Sequence, residues 1–127
     1  MKILHNIFTF VLSLFIASAI HAQQKEPKFE IKFFNDRGSI VLICEKGCSW
    51  KSLRIKTDDF LINQHGMVNK LNNEDINNSD FLLSLEKKSN KLYLKALKGT
   101  QWKELTFKLP KDKTKPVIIN DSNMVSE

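Results

Sequence analysis

From Phe29 onward apolar and polar residues alternate, Phe29-Glu30-Ile31-Lys32-Phe33, the period of a half-buried strand. Asn35-Asp36-Arg37-Gly38 then reads as a turn, and Ile40-Val41-Leu42-Ile43-Cys44 follows as an unbroken apolar run. Together they predict a hairpin whose second strand is either covered on both faces or sticky on its outer one. After Glu45-Lys46-Gly47 a third strand puts Leu53 and Ile55 on one face and Ser52, Arg54 and Lys56 on the other, with Trp50 one residue out of step. A short fourth strand, Phe60 to Asn63, precedes Gln64-His65-Gly66-Met67.

The same order of elements recurs. Gly47-Cys48-Ser49-Trp50-Lys51-Ser52-Leu53-Arg54-Ile55-Lys56 aligns with Gly99-Thr100-Gln101-Trp102-Lys103-Glu104-Leu105-Thr106-Phe107-Lys108 at an offset of 52 residues. Without a gap, Phe29 also falls on Phe81, Leu42 on Leu94 and Lys46 on Lys98. Beyond Lys56 the offset becomes 57, which sets Phe60-Leu61-Ile62-Asn63 on Val117-Ile118-Ile119-Asn120 and Met67-Val68 on Met124-Val125. The second copy therefore carries five extra residues between Leu109 and Pro116, expected to form an exposed connection. At the hairpin turn Lys88-Ser89-Asn90 sets Asn90 where the first copy has Gly38, the two residue types that best tolerate positive φ.

These patterns predict an all-β fold of about eight short antiparallel strands, a sandwich or barrel with approximate two-fold symmetry, built from an internal duplication. The repeats span 29–68 and 81–125, joined by the polar stretch Asn69 to Asp80 with a helical turn at Leu71 to Ile76. Strands of the second copy are expected at Phe81 to Leu85, Leu92 to Leu97, Trp102 to Leu109 and Val117 to Asn120. Trp50 and Trp102, the only two Trp, mark the repeat core: each indole is expected to close the end of the core with its N–H on a backbone acceptor, a reading preferred over a ligand platform.

Residues 1–22 read as a secretory signal peptide, with Lys2, an apolar run from Ile7 to Ile20, and small residues offering cleavage after Ala19 or Ala22. Neither site is followed by Cys, so no lipoprotein signal is read, and the run is short for a membrane span of about 20 residues. Residues 23–127 form one domain, a monomer without a membrane anchor after processing, exported to the periplasm or beyond the cell. Removing Lys2 lowers the formal charge from +6 to +5.

Export predicts a Cys44–Cys48 disulfide, worth roughly 2 kcal/mol by chain entropy for so short a loop. Its counterparts are Ala96 and Thr100, so the bridge is an addition to the first copy. His65 is the one histidine after the signal and would have to serve any hydrolase, oriented by Asp58 or Asp59; Cys44 and Cys48 would have to serve any redox role. Two Cys and one His leave a zinc site without a clear fourth ligand, and four Gly make no phosphate-cradling loop. No catalytic residue, cofactor or metal is assigned.

Charge separates the halves. Residues 81–115 hold ten Lys against Glu86, Glu104 and Asp112, whereas 29–68 carry six basic and five acidic residues. Lys95, Lys108, Lys111, Lys113 and Lys115 are candidates for one electropositive surface, attracting a polyanionic envelope component without specific nucleic-acid recognition. The pattern Gly-x-x-Trp-Lys-x-Leu-x-Phe/Ile with a following Gly-Met resembles small exported proteins of Bacteroidetes that look like single copies of the unit; the second copy departs with Asn123-Met124. That resemblance implies pairing of single copies, here within one chain, and carries over no functional residue. The function expected is a secreted or periplasmic non-catalytic binding module with an unknown protein or polyanion partner. The rivals are a small exported hydrolase or redox protein and a structural envelope component.

Overall fold

The computed structural model describes residues 26–69 and 73–126, so the signal peptide read at 1–22 lies outside the described residues. Among the described residues the strands number ten rather than eight: β1 (Glu30–Asp36), β2 (Ser39–Lys46), β3 (Ser52–Ile55), β4 (Asp59–Asn63), β5 (Gly66–Val68), β6 (Leu82–Lys88), β7 (Lys91–Lys98), β8 (Glu104–Lys108), β9 (Val117–Asn120) and β10 (Met124–Ser126). The two extra strands, β5 and β10, are three-residue returns after β4 and β9. A six-residue helix, α1 (Asn73–Asn78), lies two residues later than the expected Leu71 to Ile76, of which 71 and 72 are outside the described residues. Asp75 and Glu74 sit in its first turn, where acidic side chains suit the helix dipole, and Lys98 Nζ caps its far end on the carbonyls of Ile76 (2.9 Å) and Asn77 (3.3 Å).

The strands make two antiparallel five-stranded sheets and no closed barrel. The first sheet runs β10-β9-β1-β2-β3 and the second β5-β4-β6-β7-β8. Each half of the chain thus gives three strands to one sheet and its last two to the other. Pairing registers repeat between the halves. Phe60 opposite Leu85 in the second sheet has its match in Val117 opposite Phe33 in the first, which are the offsets 57 and 52 read from the sequence. Ladder irregularities also recur, between Glu30 and Ile31 and between Leu82 and Leu83.

Inward positions of both sheets merge in one core, including Ile31, Phe33, Ile40, Leu42 and Ile119 from the first and Ile62, Leu83, Leu85, Leu92 and Phe107 from the second. Phe33 meets Phe107 edge to face across the layers at 5.6 Å. Phe29 and Phe81, 52 residues apart, stack with ring centroids 4.2 Å apart where the entrances to β1 and β6 meet. Such burial contributes about 1.5–3 kcal/mol per large side chain, so this seam between halves is a main source of stability.

Trp50 and Trp102 stand just before β3 and β8, half-buried against the core. The indole N–H of Trp50 donates to Asn63 O at 3.0 Å and that of Trp102 to Asn120 O at 2.8 Å, so each ties one sheet's edge to a strand that its own half lends to the other sheet. Full burial would put the cost of truncation in the usual 3–5 kcal/mol range; partial solvation lowers it to about 2–3 kcal/mol for Trp50→Ala or Trp102→Ala. Urea denaturation measures this, and a loss below about 1 kcal/mol would leave the indole without a structural role.

The hairpin turns correct one expectation. Arg37 (φ 55°) and Gly38 (φ 84°) both take positive φ in the first half, whereas in the second the positive φ falls on Ser89 (59°) and not on Asn90. The extra residues of the second half do form an exposed connection: Lys111 to Lys115 are all exposed, between buried Leu109 and buried Pro116.

Candidate functional site

Because matched positions in the two sheets share backbone register, each outer face is a control for the other. On the first sheet the outward residues Phe34, Val41 and Ile118 are only 8, 6 and 6% exposed although they lie outside the main core. Charged side chains reach across this face. Arg54 is paired with Val41, yet its Nη2 reaches Asp36 Oδ2 at 2.7 Å on the strand beyond, so the side chain crosses β2. Lys32, paired with Ile43, reaches Glu45 Oε1 at 3.2 Å. The aliphatic stems roof the apolar strip while their charged ends stay in water, which settles how β2 tolerates an unbroken apolar run. The Arg54 hydrogen bond holds the Asp36 carboxyl below the usual range against the opposing effect of desolvation, with Lys113 of the 109–116 connection adding to the lowering.

The second sheet's outer face is built differently at the same positions. Three rows of directly opposed residues cross β6, β7 and β8: Lys88, Lys91 and Lys108; Glu86, Tyr93 and Thr106; Ser84, Lys95 and Glu104. Lys88, Lys91, Tyr93, Lys95, Glu104, Thr106 and Lys108 are all exposed. On the first sheet the positions matching the lysine row hold Asp36, Ser39 and Lys56. Like charges directly opposite one another weaken a sheet, so the row is not something the scaffold requires. Lys88 leans back toward its own strand, with Nζ 3.6 Å from Glu86 Oε1 and 5.7 Å from the Tyr93 ring centroid. Asp59 of β4 opposes Glu86, which puts acid next to the second row.

The expected electropositive surface is therefore divided. Lys95 and Lys108 do face outward on one sheet, but Lys95 is opposed by Glu104. Lys108 and Lys111 line a depression of about 450 Å³ with Asn90, Leu109 and Pro110 at the turn end. Lys113 lies toward Asp36 of the first sheet, and Thr114 donates from both N (2.9 Å) and Oγ1 (2.6 Å) to Asp112 Oδ1, which lowers the Asp112 pKa and orders the connection. Lys88 and Lys91 were missed by sequence reading. A tight two-residue turn at Ser89-Asn90 obliges the flanking residues to face each other, so the hairpin itself carried that signal.

Candidate chemistry elsewhere disperses. Cys44 and Cys48 form a disulfide, with Cα atoms 6.2 Å apart, at the end of β2. His65 is exposed in the β4–β5 turn, its N–H bound to Asn63 Oδ1 at 2.8 Å. Neighbouring Ser49 donates its hydroxyl to Gln64 O at 3.1 Å, while Asp59 stands at the opposite end of β4 and Asp58 just before it. No group of three or more His, Cys, Asp or Glu gathers among the described residues. At the seam between halves a hollow of about 440 Å³ is lined by the matched sets Lys28, Phe29, Gly47 and Asp80, Phe81, Gly99. There Gln64 clasps the second half, Nε2 donating to Asn78 O and Oε1 accepting from Asp80 N, and Asp121 accepts from Lys28 N in the first. These bonds hold chain entrances together and leave the hollow mixed in charge. Set against family models, curated proteins and solved structures, the chain matches none.

Proposed function

We propose that this chain is an exported, monomeric, non-catalytic binding module that meets a polyanion through the outer face of its second sheet. The observation that supports this reading is the opposed row Lys88, Lys91 and Lys108, present where the sister sheet carries Asp36, Ser39 and Lys56. Glu86 offsets Lys88 in part, and the net positive charge left along the row concentrates phosphate, sulfate or carboxylate groups near the surface. Lys111, beside Lys108 at the turn end, extends the row onto the connection, whereas Lys113 of the same connection lies toward Asp36 of the first sheet. The repeated pairing registers support the companion reading, that two copies of one unit were fused and now exchange strands within a single chain.

The test is retention on an immobilised heparin column at low salt, with a steep loss near physiological ionic strength, where exposed charges are screened over about 8 Å. Replacing Lys88, Lys91 and Lys108 together by Gln is expected to abolish most retention while leaving the melting temperature unchanged or slightly higher, as opposed like charges are relieved. The loop triple, with Gln at 111, 113 and 115, is expected to lose less. Absent retention at low salt, or equal retention by the wild type and the row variant, would return these lysines to the role of solvating surface.

A further inference from the structure

We infer that the polyanion is an acidic polysaccharide, laid across β6, β7 and β8 with one sugar ring on Tyr93; this rests on the polyanion reading and narrows it. Tyr93 is 39% exposed, at the centre of the outer face, in the row next to the three lysines. Beside its ring is a depression of about 250 Å³ lined by Ser84, Glu86, Lys95, Glu104 and Thr106. Two hydroxyls and two carboxylates around an aromatic ring suit a ligand rich in hydroxyl groups: carboxylates accept from them strongly, and the ring covers the apolar face of a pyranose. The lysine row runs across the strands, with steps of about 4.8 Å from one strand to the next, and so offers a line of charge to acid groups on an extended chain.

The sister sheet argues that this lining is particular to one face. Val41 stands at the position of Tyr93, Phe34 at that of Glu86 and Arg54 at that of Thr106, and there Phe34 and Val41 are buried and Arg54 reaches across the strip to Asp36. Glu86, Glu104 and Asp59 repel any acid group set directly over the depression, so a polymer bearing charge alone fits less well than one that turns hydroxyls to the depression and its acid groups to the lysine row. Single-stranded nucleic acid binds on several aromatic platforms in series, whereas the rows of this face hold one aromatic residue, Tyr93.

Affinity electrophoresis or calorimetry of the full chain against polygalacturonate, inorganic polyphosphate, an RNA homopolymer and neutral dextran separates these cases. Polygalacturonate is expected to bind more tightly than polyphosphate or RNA at equal charge, and dextran weakly. Tyr93→Ala is expected to weaken polygalacturonate binding about tenfold, equivalent to about 1.4 kcal/mol, while changing polyphosphate binding less than about twofold. Tyr93→Phe keeps the ring and should bind like wild type, and Thr106→Val, with fold checked by circular dichroism, should weaken polygalacturonate alone. Polyphosphate or RNA binding as tightly as polygalacturonate, or a Tyr93→Ala variant that treats the ligands alike, overturns the saccharide assignment and leaves polyanion binding standing. Failure of every charged polymer to bind at low salt overturns both.

Discussion

Replacing Gly99 by Ala is expected to lower the unfolding free energy by about 3–5 kcal/mol, and Gly47→Ala by a similar amount, a large part of the 5–15 kcal/mol that holds a domain of this size. Two effects combine at each site. Gly99 has φ +89° and Gly47 φ +88°, a region where a side chain costs roughly 1–3 kcal/mol. A Cβ on Gly99 would also come within 2.3 Å of Asp80 O and 2.8 Å of Phe81 Cβ, and one on Gly47 within 2.3 Å of Lys28 O and 2.8 Å of Phe29 Cβ. These contacts are with backbone or the first side-chain atom, which no rotamer change removes. Gly38 separates the effects, since it has φ +84° but open space around a would-be Cβ. Gly38→Ala should cost only about 1–2 kcal/mol by chirality alone. Equal losses at Gly38 and Gly99 in urea denaturation would show that the close approach of chain to chain carries no weight.

Those two glycines also show what could be read before the structure was known. Their place in the repeated Gly-x-x-Trp pattern was plain, as were the alternation of β1, the offsets of 52 and 57, and the disulfide, because each depends on residues close in sequence or on direct comparison of the halves. The reason for glycine was not legible: it lies in Lys28 and Asp80, nineteen positions upstream, brought near by the fold. The exchange of β4–β5 and β9–β10 between sheets was also hidden. Lys56 to Asp58 is a three-residue connection that reads the same whether the next strand stays in its sheet or crosses to the other, and apolar alternation marks a buried face without saying which sheet buries it. Met67-Val68 and Met124-Val125 were too short to register as strands, although they return beside Leu61 and Ile118. At the candidate site, counting lysines found the basic half but not its geometry. Lys113 lies toward Asp36 of the first sheet, while Lys88 and Lys91 owe their place beside Lys108 to cross-strand pairing.

Phe29 and Phe81 should behave as one unit, because each is 1% exposed and their rings stack at 4.2 Å with 27° between planes. Truncating either to Ala is expected to cost about 3–5 kcal/mol, from lost burial and the cavity left behind. Both truncations together would bring the fold near its limit of stability, so the coupling is better measured with Leu, at about 1–2 kcal/mol for each single change. In a double-mutant cycle Phe29→Leu and Phe81→Leu should cost less together than separately, by about 0.5–1.5 kcal/mol, since the stack is lost with the first ring removed. Additive losses would mean that the rings contribute only through burial. Coupling to the glycines should differ in kind. The clash created by Gly47→Ala falls on Lys28 O and on the Cα and Cβ of Phe29, atoms that leucine or alanine retains at position 29. Phe29→Leu is therefore expected not to relieve Gly47→Ala, and their costs should add. Rescue of the glycine variant by the smaller side chain would place the conflict in the aromatic ring and not in the backbone beneath it.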